Sequence, residues 1–302
     1  MFTRRQTMKS ILATGSAAVL ASADPSFAGA PLTWTSYPAG ETGFFRAPVL
    51  ISGRHDAILI DGGFTLPDGK ALAGEIKASG KTLKVIYVSQ SDPDYYFSLG
   101  PIHQAFPHAK VIAAGDTVAA IKASVQKKLD TWGPQLKDNG PQTLADVVLP
   151  EVSDASHLTL DGKTIEIVAA EGLANRRYLW VPSLEAIFGG VLVFSGVHVW
   201  TADTATAEGR AAWVGTLEAM AARNPKVVVP GHMMPGSALD VSALTYTRDY
   251  LLAFEEELGK AKDGAQDSAA LIEAMTKRYP QAGMGVALAI GAKVALGEMK
   301  WG

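Results

Sequence analysis

The densest chemistry in this chain lies at Gln90, Asp92, Asp94 and Tyr95, spaced i, i+2, i+4 and i+5 within the stretch LKVIYVSQSDPDYYF. Two carboxylates, an amide and a phenol this close together can aim several oxygens at one point, to hold a cation or to move a proton. Leu83 to Val88 is a short run rich in β-branched residues and reads as a buried strand, and Ser89 to Pro93 supply the turn that ends it. In open α/β sheets, side chains at the C-terminal edge of such a strand face the crevice where ligands bind.

Several elements must carry that turn. Phe45 to Ile51 and Ala57 to Ile60 read as a hairpin around Ser52 to Asp56, closed by Asp61-Gly62-Gly63, with His55 solvated in its turn. Asp68 to Ser79 reads as a helix capped by Gly80, and Tyr96, Phe97, Leu99, Ile102 and Phe106 are spaced to bury one face of another. A strand over Lys110 to Ala114 and a helix over Thr117 to Trp132 follow, with Lys122, Lys127 and Lys128 expected on its wet side. Gly133 to Pro150 reads as an irregular connection. Short strands are expected at Leu158 to Leu160, Thr164 to Ala169, Tyr178 to Val181, Ile187 to Phe194 and Lys226 to Pro230, with a helix over Arg210 to Arg223. Residues 244–302 read as C-terminal helices over Tyr246 to Lys262, Asp267 to Arg278 and Ala287 to Glu298. Strands alternating with helices in this order favour one α/β domain.

Two segments resemble the metallo-β-lactamase superfamily. The acidic turn resembles its His-x-His-x-Asp-His signature, with Asp94 matching and Gln90, Asp92 and Tyr95 standing where the histidines would be. VVVPGHMMPG, Val227 to Gly236, resembles the strand and Pro-Gly-His that supply the family's last metal histidine, here His232. The opening hairpin with its Asp-Gly turn matches as well. The resemblance implies an α/β (α+β) fold, the αββα four-layer sandwich, with a helical C-terminal extension. It also implies changed ligands: the family's middle imidazole falls at Leu173 and its bridging aspartate at Val191.

A dinuclear zinc centre needs roughly six or seven nitrogen and oxygen donors, so none is expected here. At most one divalent metal is expected, held by Asp92, Asp94 and His232 with Gln90 and His198 as further candidate donors. A metal-free site would pair Asp94 with His232 as acid and base, with Tyr95 or Tyr96 as proton donor. In the plainest reading Asp92-Pro93-Asp94 only turns and caps the chain, with His232 bonded to Asp94. Asp94, His232 and Tyr95 are therefore the catalytic candidates. Tyr96, Phe194 and Trp200, with Trp132, are the expected aromatic pocket wall, suited to a lactone, ester or aromatic ligand. Ser89 and Ser91 read as turn residues. Arg176 and Arg177 could meet an acidic ligand but read as surface charge.

The address is written at the N-terminus. Arg4, Arg5 and Lys9 precede the apolar stretch Ile11 to Ala21 and the small residues of Ser26-Phe27-Ala28, so residues 1–28 read as an export signal. Its Arg4-Arg5 pair resembles the twin-arginine type, and the mature chain, 29–302, is expected in the periplasm or secreted. With no cysteine, disulfides and thiolate ligands are excluded. A formal charge of -3 gives no footprint for nucleic acid, and no run is long enough for a stable membrane anchor. The expected partner is a small molecule, with a homodimer as a candidate assembly. The expected activity is that of an exported hydrolase-like protein acting on a small ester or lactone; the competing reading is a binding protein that keeps the cleft.

Overall fold

The computed structural model describes residues 31–301. The export signal expected at 1–28 lies outside them. In chain order the strands and helices begin with β1 (Thr33–Ser36), β2 (Val49–Ser52), β3 (Asp56–Ile60), α1 (Leu66–Ala78), β4 (Thr82–Tyr87), α2 (Leu99–Ala105), β5 (Lys110–Ala113), α3 (Gly115–Leu136) and β6 (Glu151–Val152). They continue with β7 (His157–Leu160), β8 (Lys163–Ala169), β9 (Arg177–Val181), β10 (Ala186–Phe188), β11 (Phe194–Ser195), α4 (Ala207–Ala222), β12 (Val227–Val229) and β13 (His232–Met233). The C-terminal helices are α5 (Ser242–Asp263), α6 (Ser268–Arg278) and α7 (Gly285–Ala295).

One sheet runs β1-β2-β3-β4-β5-β6, the other β12-β10-β9-β8-β7, and β11 pairs with β13 beside them. The first sheet is antiparallel through β3 and parallel from β3 to β6. The twofold alternation of strands sorts the core into layers. Val49, Ile51, Ile58, Ile60 and Tyr87 meet Ile165, Leu179, Val181 and Phe188 between the sheets. Their neighbours Leu50, Ala57, Leu59 and Ile86 point the other way, into a second core packed under the helices. Ile51, Leu59 and Ile86 are fully buried, each contributing roughly 1.5–3 kcal/mol relative to exposure. The result is the αββα sandwich with helices outside and a helical C-terminal extension.

Three expectations shift. The helix expected to end at Trp132 continues to Leu136 through Gly133-Pro134; a proline in the last turn forfeits little of the ladder. Ile187 to Phe194 is not one strand: Gly190 takes a left-handed φ of 50°, so β10 stops at Phe188 and the chain turns into β11. Lys128, expected on a solvated face, has its side chain only 16% exposed, held by Asp92.

Candidate functional site

An arginine organises the centre. Arg46 follows the tight turn at Phe44 and Phe45, both in the left-handed region with φ of 55° and 53°. Such conformations cost roughly 1–2 kcal/mol per residue and persist only where surrounding contacts hold them. Here Met233 donates its N–H to the Phe45 carbonyl, and Ala47 donates to Gly231. Arg46 thereby lies beside His232, its side chain 1% exposed. Its guanidinium donates from Nη1 to the Gly231 carbonyl, from Nη2 to Asp61 Oδ2 at 3.2 Å and from Nε to the Asp94 carbonyl at 3.2 Å. It lies 3.8 Å from the Tyr95 ring centre and 3.8 Å from Asp94 Oδ2. Gly231 must be glycine: a Cβ there would stand 2.0 Å from the Gly190 carbonyl oxygen and 2.9 Å from Arg46 Nη1.

The carboxylates around Arg46 differ. Asp61, at the end of β3, accepts from the Ser89 N–H at 2.7 Å and the Ser89 hydroxyl at 2.8 Å. Burial still outweighs these bonds and the Arg46 charge, so its carboxyl is pushed up from the usual range. Burial also raises Asp94, but the hydrogen bond and charge of His232, followed by the charge of Arg46, win and hold it below that range. Burial keeps the Tyr95 hydroxyl well above its ordinary value, so it remains a neutral phenol.

His232 is fixed from three sides. Its Nδ1 lies 2.7 Å from the Phe44 carbonyl oxygen, which can only accept, so Nδ1 carries the proton. Phe194, paired with it across β11 and β13, stacks on the imidazole at 4.9 Å and 7°. Nε2 is left facing Asp94 Oδ2 at 3.3 Å and the Tyr95 hydroxyl at 3.4 Å. Asp94, Tyr95 and His232, expected together from the sequence, thus meet at one point. Pro93 to Tyr95 form a single 3-10 turn that presents the first two.

That point lies in the wall of a narrow inner chamber of about 40 Å³, room for a few water molecules, lined also by Phe44, Trp132, Trp200 and Trp301. An outer cleft of about 530 Å³ adjoins it, sharing Asp92, Lys128, Trp132 and Trp301. Asp92 does not turn to Asp94's partners: it accepts from Lys128 Nζ at 2.8 Å and from the Gln90 amide at 2.7 Å. Asp203 accepts from the Trp200 indole at 2.6 Å. Burial, then the charge of Asp92, raise Asp203 to about 6 against Lys128 and Arg176.

The remaining sequence candidates are placed as follows. Trp200 lines the inner chamber, whereas Tyr96 is buried edge-on to Phe97 with its hydroxyl unpartnered, away from it. Phe194 backs His232 rather than lining a pocket wall. His198 faces Tyr250, 2.9 Å from its hydroxyl, and is not brought to Asp94; burial pushes its imidazole down. Gln90 is spent on Asp92 through both its amide oxygen and nitrogen. Ser89 supports Asp61, and Ser91 bonds Asn175. Arg177 pairs with Asp116 at 2.9 Å, but Arg176, read as surface charge, is 6% exposed. The sequence reading missed Arg46 and Asp61; the available signal was a lone charge inside the apolar run Phe45 to Ile51.

The family model of the metallo-beta-lactamase superfamily matches residues 42–232, well over half of the chain. The chain belongs to the metallo-β-lactamase superfamily. Among solved structures, a metallo-β-lactamase family protein from Thermus thermophilus is 16% identical with a TM-score of 0.60, covering 89% of this chain and 93% of its own. A metallo-β-lactamase from Pontibacter korlensis is 20% identical with a TM-score of 0.55, covering 74% and 95% respectively. No curated protein sequence matches. Leu173 and Val191, which the sequence resemblance places where the superfamily has ligands, are buried, at 8% and 2% exposure. Among the described residues no group of three or more histidine, aspartate or glutamate side chains could hold a metal ion.

Proposed function

We propose that this chain is an exported, hydrolase-like member of the superfamily that acts on a small ester or lactone without a zinc pair. The superfamily's metal does not fit this donor set. Leu173 and Val191 offer no donor, Gln90 and Asp92 are engaged with each other and with Lys128, and Tyr95 is held as a neutral phenol. The positive charge facing Asp94 and Asp61 belongs to Arg46. The exported address rests on Arg4, Arg5 and the apolar stretch after them, and N-terminal sequencing of protein from a periplasmic fraction tests it.

The single observation that carries the activity is the meeting of Asp94 Oδ2 and the Tyr95 hydroxyl within 3.4 Å of His232 Nε2, at a chamber with room for a few waters. Because Nδ1 is committed to Phe44, Nε2 is the atom that exchanges protons. It takes a proton from water as the oxygen attacks the acyl carbon, and Asp94 stabilises the imidazolium that forms. The Tyr95 hydroxyl donates to the developing oxyanion. As the acyl C–O bond breaks, Nε2 returns the proton to the leaving oxygen, giving an acid and an alcohol, or one hydroxy acid from a lactone.

A panel of aryl esters and lactones assayed in chelator tests this. Turnover should persist in chelator and fall roughly 10²–10⁴-fold in His232→Ala, the range of general acid–base catalysis. Turnover that needs added metal, or that survives His232→Ala, sinks the assignment. One observation favours a binding protein instead: the outer cleft is far larger than the reactive chamber, at about 530 against 40 Å³. Saturable binding with no turnover across the panel would select that reading.

A further inference from the structure

Arg176 precedes β9 and lines the outer cleft. It is 6% exposed, its guanidinium carbon 6.0 Å from the Trp213 ring centre, and both Nε and Nη2 are closed to solvent and lack a hydrogen-bond partner. These two nitrogens form one edge of the guanidinium, the edge that matches a planar carboxylate with two parallel bonds. A buried charged edge without a partner is expensive in a folded protein, and such groups are commonly completed by a ligand or water.

The surrounding charge points the same way. Besides Lys127, which has a contact of its own, the cleft is lined by Lys128, Arg176 and Lys300 against Asp92 and Asp203. A cationic lining on a chain of net charge -3 is a local feature, not a reflection of composition. Lys128 is already matched by Asp92 at 2.8 Å, which leaves Arg176 as the buried cation with a hydrogen-bonding edge to spare. Trp132 and Trp301 give the same cleft two indole walls, and 530 Å³ is ample for a bicyclic body.

We propose that the outer cleft binds a small molecule with a flat apolar body and one carboxylate, the body against Trp132 and Trp301 and the carboxylate against Arg176, whose buried Nε–Nη2 edge turns toward the cleft to receive it. This deepens the hydrolase reading, on which it rests for the ligand's role: the substrate, or its acid product, is a monoanion. One arginine edge beside two carboxylates suits a single negative charge better than a phosphate dianion. The cleft shares walls with the inner chamber, so a ligand held there extends its reactive end toward His232.

The experiment titrates the full mature chain with 2-naphthoate and with its neutral isostere 2-naphthamide, following tryptophan fluorescence. An ion-supported hydrogen-bond pair should favour naphthoate by at least about tenfold. Arg176→Met should abolish that preference while leaving naphthamide affinity unchanged, and Arg176→Lys should keep part of it. Asp203→Asn, which removes a competing carboxylate, should tighten naphthoate several-fold and provides a second variant if Arg176→Met fails to fold. Equal affinity for the two probes, no saturable binding of either, or a preference that survives Arg176→Met overturns the proposal. His232→Ala is expected to bind naphthoate as the wild type does. Loss of the hydrolase reading would therefore leave this result standing, and failure here would leave turnover unaffected.

Discussion

Arg46 and Arg176 are both buried arginines, at 1% and 6% exposure, and their surroundings are opposite. Arg46 donates to Gly231, Asp61 and the Asp94 carbonyl and lies over the Tyr95 ring, so its charge is answered on every side. Arg176 has an aromatic neighbour and Asp203 within electrostatic reach, but Nε and Nη2 bond to nothing. The first is a structural cation, tying the turn at Phe44 and Phe45, the end of β3 and the loop before β13 into one block. The second has the chemistry of a receptor. Burial alone does not separate them; saturation of the donors does.

The largest effect that can break this contrast is on Arg46. Arg46→Met would leave Asp61 and Asp94 buried without their cation, and removing one partner of a buried ion pair costs about 3–5 kcal/mol. Urea unfolding should show a loss of that size, with Arg46→Lys recovering part of it because an ammonium cannot reach all three acceptors in the same plane. A loss below about 1 kcal/mol would mean that Arg46 is no more structural than Arg176.

The next effect is read in pH. Asp203 is raised to about 6, so between the ordinary carboxylate range and that value the folded state binds more protons than the unfolded one. Stability must then fall as pH rises through this window, by on the order of 2 kcal/mol after solvent screening. Asp61, also raised, adds the same sign. Asp94, held below the ordinary range, has the opposite sign: its contribution is present at neutral pH and is lost as pH falls. Asp203→Asn should therefore flatten the slope between about pH 4 and 6 and leave the acid limb below it. An unchanged slope would show that burial and the charge of Asp92 do not raise Asp203 against Lys128 and Arg176.

The fold was legible because its signals are local and repeated: the apolar runs of β2, β3 and β4, the Asp-Gly turn, and the strand into Pro230-Gly231-His232. Three of the five central side chains were legible for the same reason, since Asp94 and Tyr95 share one turn and His232 follows a strand. Arg46 and Asp61 were not, because a single arginine in an apolar run looks like a strand edge until His232, 186 positions later, is brought beside it. His198 erred the other way. Proximity to Val191 in sequence suggested a further metal donor beside Asp94 and His232, but the turn at Gly196, φ 68°, sends it toward α5 and Tyr250.

A smaller effect follows from that placement. His198 and His232 are equally buried, at 3% exposure, and each meets a tyrosine hydroxyl, but only His232 has a carboxylate at 3.3 Å. His198→Gln should cost about 1 kcal/mol, the net worth of one hydrogen bond, and leave turnover within about twofold. A drop in turnover comparable to that of His232→Ala would place α5 in the chemistry.

The smallest expected change in stability is the most informative. Arg176→Met replaces an incompletely bonded cation by an apolar chain of similar length, which is commonly neutral or stabilising in a buried setting. Unfolding free energy should stay within about 1 kcal/mol of the parent or rise, while the preference for naphthoate disappears. The same substitution removes one of the charges that lowers Asp203, so the upper end of the window in which stability falls should move up from about 6. Loss of stability on the scale of Arg46→Met would mean that Arg176 has partners as binding as Asp61 and Gly231 are for Arg46. A neutral change with lost carboxylate preference would show the fold tolerating an unsaturated cation at the cleft because a ligand, not the protein, completes it.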